Sequence, residues 1–195
     1  VGNLRIIGGE KRGFPLASPR GGELRPTANR VREALFDILG ERVRNARFLD
    51  LFAGTGAVGI EALSRGAARC FFVEENPRCV RVIRSNLQVC HLESAAEVYQ
   101  GSLPSGLSLL HSKSLVDLAF VDPPYGAPTG DLVLEELGLG GLLRDGAWVI
   151  LEHRKSTQAR AQVGSLRHLR TVRYGDTVLS FFERTQPHAS SAERV

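Results

Sequence analysis

The chain of 195 residues has no methionine, one tryptophan and three cysteines, and aromatic residues make up 7% of it. No apolar run approaches the roughly 18 residues that a membrane-spanning helix needs, which argues against a membrane protein. Cys70, Cys79 and Cys90 are odd in number and spaced by nine and eleven residues. That pattern fits neither a disulfide framework nor a zinc site, so free thiols in a reducing cytosol are expected, with no metal. The opening VGNLRIIGGEKRG lacks the apolar stretch of a secretory signal, which also points to the cytoplasm. The missing initiator methionine is expected of a processed or trimmed start. Internal repeats are absent too.

What remains is ordinary for a globular protein: 43% apolar and 24% charged residues. The length fits one domain with a small appendage. The net charge of +4 is unevenly placed, because Val1–Leu35 holds seven basic against three acidic residues and the rest is neutral overall. A localised basic segment points to a polyanionic partner. Arg12, Arg20, Arg25, Arg30 and Arg32 are its candidate contacts to such a partner, of which Arg30 and Arg32 do not share a helix face.

Hydrophobic periodicity sets out the organisation. Leu4–Ile7 and Gly13–Ala17 read as a small hairpin around Gly8-Gly9, and residues 1–26 as a basic extension. Thr27 is the expected N-cap of a first helix with the stripe Val31, Ala34, Leu35 and Ile38. From Arg47 strands and helices alternate. Strands are expected at Phe48–Phe52, Cys70–Val73, Glu97–Gln100, Leu115–Val121 and Trp148–Leu151. Helices are expected at Gly56–Arg65, with Val58, Ala62 and Leu63 inward, and at Pro77–Val89, Leu103–His111 and Asp131–Leu137. Leu166–Tyr174 and Thr177–Arg184 flank Gly175-Asp176 as an antiparallel hairpin. The fold class is therefore α/β, a doubly wound, mostly parallel, seven-stranded Rossmann-like sheet over residues 27–184. Residues 185–195 read as a disordered tail.

Such sheets bind ligands beyond the C-terminal ends of their strands. After the first strand Gly54, Gly56 and Gly59 match GxGxxG, where glycine lets the backbone approach a ligand at a helix N-terminus. Glu74 lies 20 residues beyond Gly54, placed to hold ribose hydroxyls. A dinucleotide site would look the same but for Asp50. That carboxylate would repel a pyrophosphate but suits S-adenosylmethionine (AdoMet), which carries an ammonium and a sulfonium and no phosphate. Asp50, Phe52, Ala53, Gly54, Thr55, Gly56 and Glu74 are the candidate cofactor residues. Glu75 fits the first turn of the next helix, and Ser102, after the third strand, is a candidate adenine contact.

The fourth strand ends in Asp122-Pro123-Pro124-Tyr125. The exocyclic amine of a nucleobase is a poor nucleophile because its lone pair is delocalised into the ring. Asp122 and the Pro123 carbonyl can accept its two N–H bonds and turn the lone pair toward a methyl donor. Pro123 and Pro124 stiffen the loop, and Tyr125 offers a ring for an extruded base. Glu152 and His153 end the fifth strand on the substrate side, His153 as a hydrogen-bonded structural residue.

These residues resemble the amino-group-specific, AdoMet-dependent nucleic-acid methyltransferases. Leu4–Gly9 with Gly13, Arg25-Pro26-Thr27, Arg30–Phe36, Leu49–Gly56, Ser64–Ala67, Asp122–Gly126, Leu151-Glu152-His153 and Tyr174–Thr177 are similar to the RsmD family, up to about Arg184. Ser102 departs from the acid usual in that family. The resemblance implies an enzyme that methylates guanine N2 in 16S ribosomal RNA, in an assembled or assembling small subunit, and a monomer is expected. A DNA adenine-N6 methyltransferase and a non-catalytic RNA-binding scaffold are the alternatives.

Overall fold

The computed structural model describes residues 4–19, 26–110, 115–124, 126 and 128–185. Its helices are α1 (Pro26–Leu39), α2 (Ala57–Ser64), α3 (Pro77–Cys90) and α4 (Thr129–Leu139). The strands are β1 (Arg47–Leu51), β2 (Arg69–Glu74), β3 (Ala96–Gln100), β4 (Val116–Val121), β5 (Leu143–Arg154), β6 (Gln162–Val163), β7 (Leu166–Tyr174) and β8 (Thr177–Arg184). They form one sheet in the order β3-β2-β1-β4-β5-β8-β7-β6, parallel from β3 to β5 and antiparallel from there on. The sheet has eight strands instead of the expected seven, because the two-residue β6 pairs with β7.

The parallel strands are buried on both faces, as their near-continuous apolar runs require. On one face α1, α2 and α3 cover Phe48, Cys70, Phe72, Leu118, Phe120 and Ile150. On the other, α4 and the 3-10 segment Ser105–Leu110 cover Leu49, Leu51, Phe71, Val73, Ala119 and Val149. Chain order reverses between β1 and β4, so a crevice opens above their C-terminal ends.

Local chemistry explains most boundaries. Asn76 caps α3, accepting the Arg78 amide at 2.9 Å, Pro77 occupies the first turn, and Val80, Ile83, Leu87 and Cys90 form the buried stripe. Helix α1 begins at Pro26, so Thr27 lies within the first turn and is not its N-cap. The α1 stripe runs through Val31, Leu35, Phe36 and Leu39, with Ile38 packed at its margin. In α2, Ile60, Ala62 and Leu63 are buried, and Val58 faces inward as expected, half-buried and packed against the same core. Strand β5 starts five residues earlier than Trp148, across the exposed Arg144-Asp145-Gly146. The expected helix after β3 is a 3-10 segment.

The N-terminal segment lies on α2 as a hairpin-like arm. Arg5 bridges Pro15, and the Leu16 amide donates to the Leu4 carbonyl at 2.8 Å. Glu61 of α2, with 0% of its surface exposed, accepts the Ile7 amide at 2.8 Å and the Gly8 amide at 2.7 Å. Gly9 has φ +76°, and a Cβ there would sit 1.9 Å from the Ser64 carbonyl oxygen. The Gly8-Gly9 pair therefore does more than turn the chain: it lets the arm lie flush on the end of α2.

Candidate active site

The turn after β1 is held from several sides. The Gly54 amide donates to Glu74 Oε2 at 2.8 Å, and the Asn76 amide to Glu74 Oε1 at 2.8 Å. The Gly59 amide donates to Asp50 Oδ2 at 2.9 Å, and Asn86 Nδ2 to the Thr55 carbonyl at 3.0 Å. Phe52 has φ +59°, a left-handed conformation that a bulky side chain adopts at a cost of about 1–3 kcal/mol. Gly59 meets the sheet so closely that a Cβ would lie 2.3 Å from the Phe72 ring and 2.6 Å from Cys70 Sγ. The GxGxxG spacing thus serves a tight turn and close helix–sheet packing.

Three adjoining cavities open at the strand ends. The first, about 400 Å³, is lined by Phe52, Val73, Glu74, Gly101, Asp122 and Pro123, among others. The second, about 210 Å³, lies under α1 and is lined by Arg32, Asp50, Gly54, Thr55, Asp122 and Glu152, among others. The third, about 300 Å³, has Pro123, Pro124, Leu151, Glu152 and His153 in its wall. Asp122 and Phe52 are shared by the first two, Pro123 and Pro124 by the first and third, and Glu152 by the last two.

Acidic side chains dominate this region. Asp50 and Glu74 lie on the face of α1–α3, in line with Phe48 and Phe72 of their strands. Asp122 and Glu152 follow Phe120 and Ile150 on that same face. Burial pushes the Asp50 carboxyl up to about 8, against the pull of the Gly59 amide and with a further push from Glu74. Burial also raises Asp122 well above the usual carboxylate range, with Glu152 and then Asp50 adding to it. A cationic ligand would relieve both.

The expected cofactor residues Asp50, Phe52, Ala53, Gly54, Thr55, Gly56 and Glu74 come together in this turn. Ser102 is exposed and its carbonyl accepts the Gly106 amide at 2.7 Å; Gly101 and Leu103, on either side, line the first cavity. Gly101 was not anticipated, although a glycine directly after a strand marks a close backbone approach. Asp122, Pro123 and Pro124 stand together at the end of β4, while Tyr125 lies outside the described residues. Arg12 and Arg30 are exposed, and Arg20 and Arg25 lie outside the described residues. Arg32 is 5% exposed; it donates to the Arg5 carbonyl at 2.5 Å and lies 3.7 Å from Glu61, which commits it to the arm. His153 has Nδ1 2.9 Å from the Arg154 carbonyl and Nε2 2.8 Å from Ser180 Oγ. With both ring nitrogens engaged it is a structural residue.

This fold, with its ligand cavities at the switch point, is that of the Rossmann-like methyltransferases. An RNA methyltransferase from Salinibacter ruber in complex with S-adenosyl-L-homocysteine shares it, with a TM-score of 0.62 over 87% of this chain and 100% of that one at 18% identity. The chain belongs to the RsmD family, whose profile, described as conserved hypothetical protein 95, matches residues 4–183. It is 37% identical over 152 residues to the ribosomal RNA small subunit methyltransferase D of Escherichia coli (strain K12), covering 77% of this chain and 75% of that protein. The structure of a hypothetical protein from Thermus thermophilus superimposes with a TM-score of 0.77 at 32% identity, covering 91% of this chain and 98% of that one.

Proposed function

We propose that this protein methylates the exocyclic N2 amine of a guanine in 16S ribosomal RNA, in an assembled or assembling small subunit, with AdoMet as donor. The observation that carries this reading is the position of Asp122. It stands at the junction of two cavities, directly before two prolines, at the strand end facing the glycine turn.

The residues present fit AdoMet. Both Glu74 oxygens take backbone amides, which fixes the carboxylate with its remaining lone pairs available to two ribose hydroxyls. Asp50, buried beside a further carboxylate and held near pH 8, favours a cationic group in the adjoining cavity. When bound, AdoMet would supply an electrophilic sulfonium methyl whose sulfur takes back the C–S pair as N2 takes the carbon, and the amine would shed one proton to water. Asp122 and the Pro123 carbonyl accept the two amine N–H bonds and aim the lone pair, so the chain contributes positioning and electrostatics without a strong base. Arg12 and Arg30, with Arg20 and Arg25 of the same basic segment, meet RNA phosphates.

The test is transfer from labelled AdoMet to 16S RNA, to small subunits lacking the modification and to DNA, followed by nucleoside analysis. N2-methylguanine is expected, and Asp122→Ala should lower the rate about 100-fold or more with the fold intact. Label in N6-methyladenine, or full activity of Asp122→Ala, would overturn the reading.

A further inference from the structure

Strand register places a second acceptor beside the amine clamp. β4 and β5 are parallel with Val121 opposite Leu151, so Asp122 and Glu152 each come one residue later, side by side on neighbouring strands about 4.8 Å apart. They follow Phe120 and Ile150 on the same face. Both line the cavity under α1, and Glu152 continues into the cavity walled by Pro123 and Pro124. The site thus offers carboxylate oxygens at two adjacent points. Arg32, in the wall of the same cavity, donates to the Arg5 carbonyl and lies 3.7 Å from Glu61.

We infer that Glu152 selects guanine by accepting its N1–H while Asp122 and the Pro123 carbonyl hold the neighbouring N2 amine. This rests on amine methylation at this site and adds what chooses the base. In guanine the amine is flanked on the Watson–Crick edge by a second donor, N1–H. The amine of adenine is flanked by the N1 lone pair, and that of cytosine by the N3 lone pair. A carboxylate beside the clamp therefore bonds guanine and faces a lone pair in the other two. A site built to hydrogen-bond a substrate N–H rejects analogues that lack it strongly, because the acceptor that the bound base covers goes unpaired. Asp122 alone makes no such distinction, since every exocyclic amine presents it with the same two N–H bonds.

2-Aminopurine separates the two roles. It keeps the amine at C2 but carries a lone pair at N1 in place of N1–H. The methylated nucleotide is first located in the natural acceptor, and that RNA is then rebuilt with 2-aminopurine at the same position. The wild-type protein should methylate guanine faster than 2-aminopurine by about 100-fold or more. Glu152→Gln, near in shape and with both a donor and an acceptor, should lose guanine activity and gain 2-aminopurine activity, narrowing the preference at least tenfold. Glu152→Ala should lose guanine activity without that gain, and far-UV circular dichroism checks that both variants fold. Equal wild-type rates on the two RNAs, or an undiminished preference in Glu152→Gln, would overturn the assignment to Glu152 while leaving amine methylation standing. Transfer to neither RNA would overturn amine methylation and this assignment together.

Discussion

Asn86 and Ala17 hold each other by two hydrogen bonds: the Ala17 amide donates to Asn86 Oδ1 at 2.7 Å, and Asn86 Nδ2 donates to the Ala17 carbonyl at 3.0 Å. The same Nδ2 donates to the Thr55 carbonyl at 3.0 Å. One buried amide of α3 therefore ties the far end of the N-terminal arm to the glycine turn at the proposed donor site. Asn86→Ala leaves three backbone groups without their partner, and we expect a loss of about 3 kcal/mol in urea unfolding. AdoMet affinity, read by calorimetry, should fall as well, because the turn loses a support that touches no ligand. Unchanged affinity in a folded variant would show that the turn holds its shape without the arm.

The inner end of the arm depends on Glu61. Besides the two arm amides, its carboxylate accepts Arg65 Nε at 2.9 Å and lies 3.7 Å from Arg32 Nε. Burial works against the Arg32 charge, and Glu61 is what favours it. Removing one partner of a buried pair leaves the other uncompensated, so Glu61→Ala should cost about 3–5 kcal/mol. Trypsin should then cut at Lys11 and Arg12 well before the domain unfolds, whereas the wild-type arm resists.

The catalytic layer of the fold was legible because it is written in local chemistry. The strand-end motifs at Leu49–Gly59 and Asp122–Pro124 announce a doubly wound sheet and its ligand edge, and the turn at Gly175-Asp176 announces the terminal hairpin. What stayed hidden depends on partners distant in sequence. Arg32 reads as one more basic residue of a basic segment until Glu61 comes beneath it. Asn86 falls inside the expected helix Pro77–Val89, but its partners Ala17 and Thr55 lie 69 and 31 residues away in sequence. Strand β5 extends across Arg144-Asp145-Gly146, which looks like a loop by composition, because Leu143 pairs with Val116.

Gly59 sets packing against propensity. Alanine in a helix interior is favoured over glycine by about 1 kcal/mol. The added Cβ would fall 2.3 Å from the Phe72 ring, which is itself fully buried. Overpacking of this kind typically costs about 1–3 kcal/mol. Gly59→Ala should thus lower the unfolding temperature, with α2 pushed off β2 and AdoMet binding weakened through the Asp50–Gly59 contact. A more stable variant would mean that α2 shifts freely on the sheet.

Asp50 makes both stability and donor binding depend on pH. Its carboxyl titrates near 8 in the folded protein, against about 3.9 when unfolded. Between these values the folded state keeps a proton that the unfolded state releases. The stabilisation from this residue is therefore full below about pH 4 and is lost as pH rises toward 8, at up to about 1.4 kcal/mol per pH unit. Asp50→Asn keeps an acceptor for the Gly59 amide but cannot ionise, so urea unfolding should show the variant gaining on the wild type from pH 4.5 to 7.5. A cation bound beside Asp50 favours its ionised form and expels the proton. AdoMet affinity should accordingly climb with pH and level off above about 8, and at pH 7 the binding enthalpy should vary with the ionisation enthalpy of the buffer. In Asp50→Asn binding should be weaker and lose the Asp50 share of both dependences. Wild-type binding without proton release would remove Asp50 from the cation's surroundings.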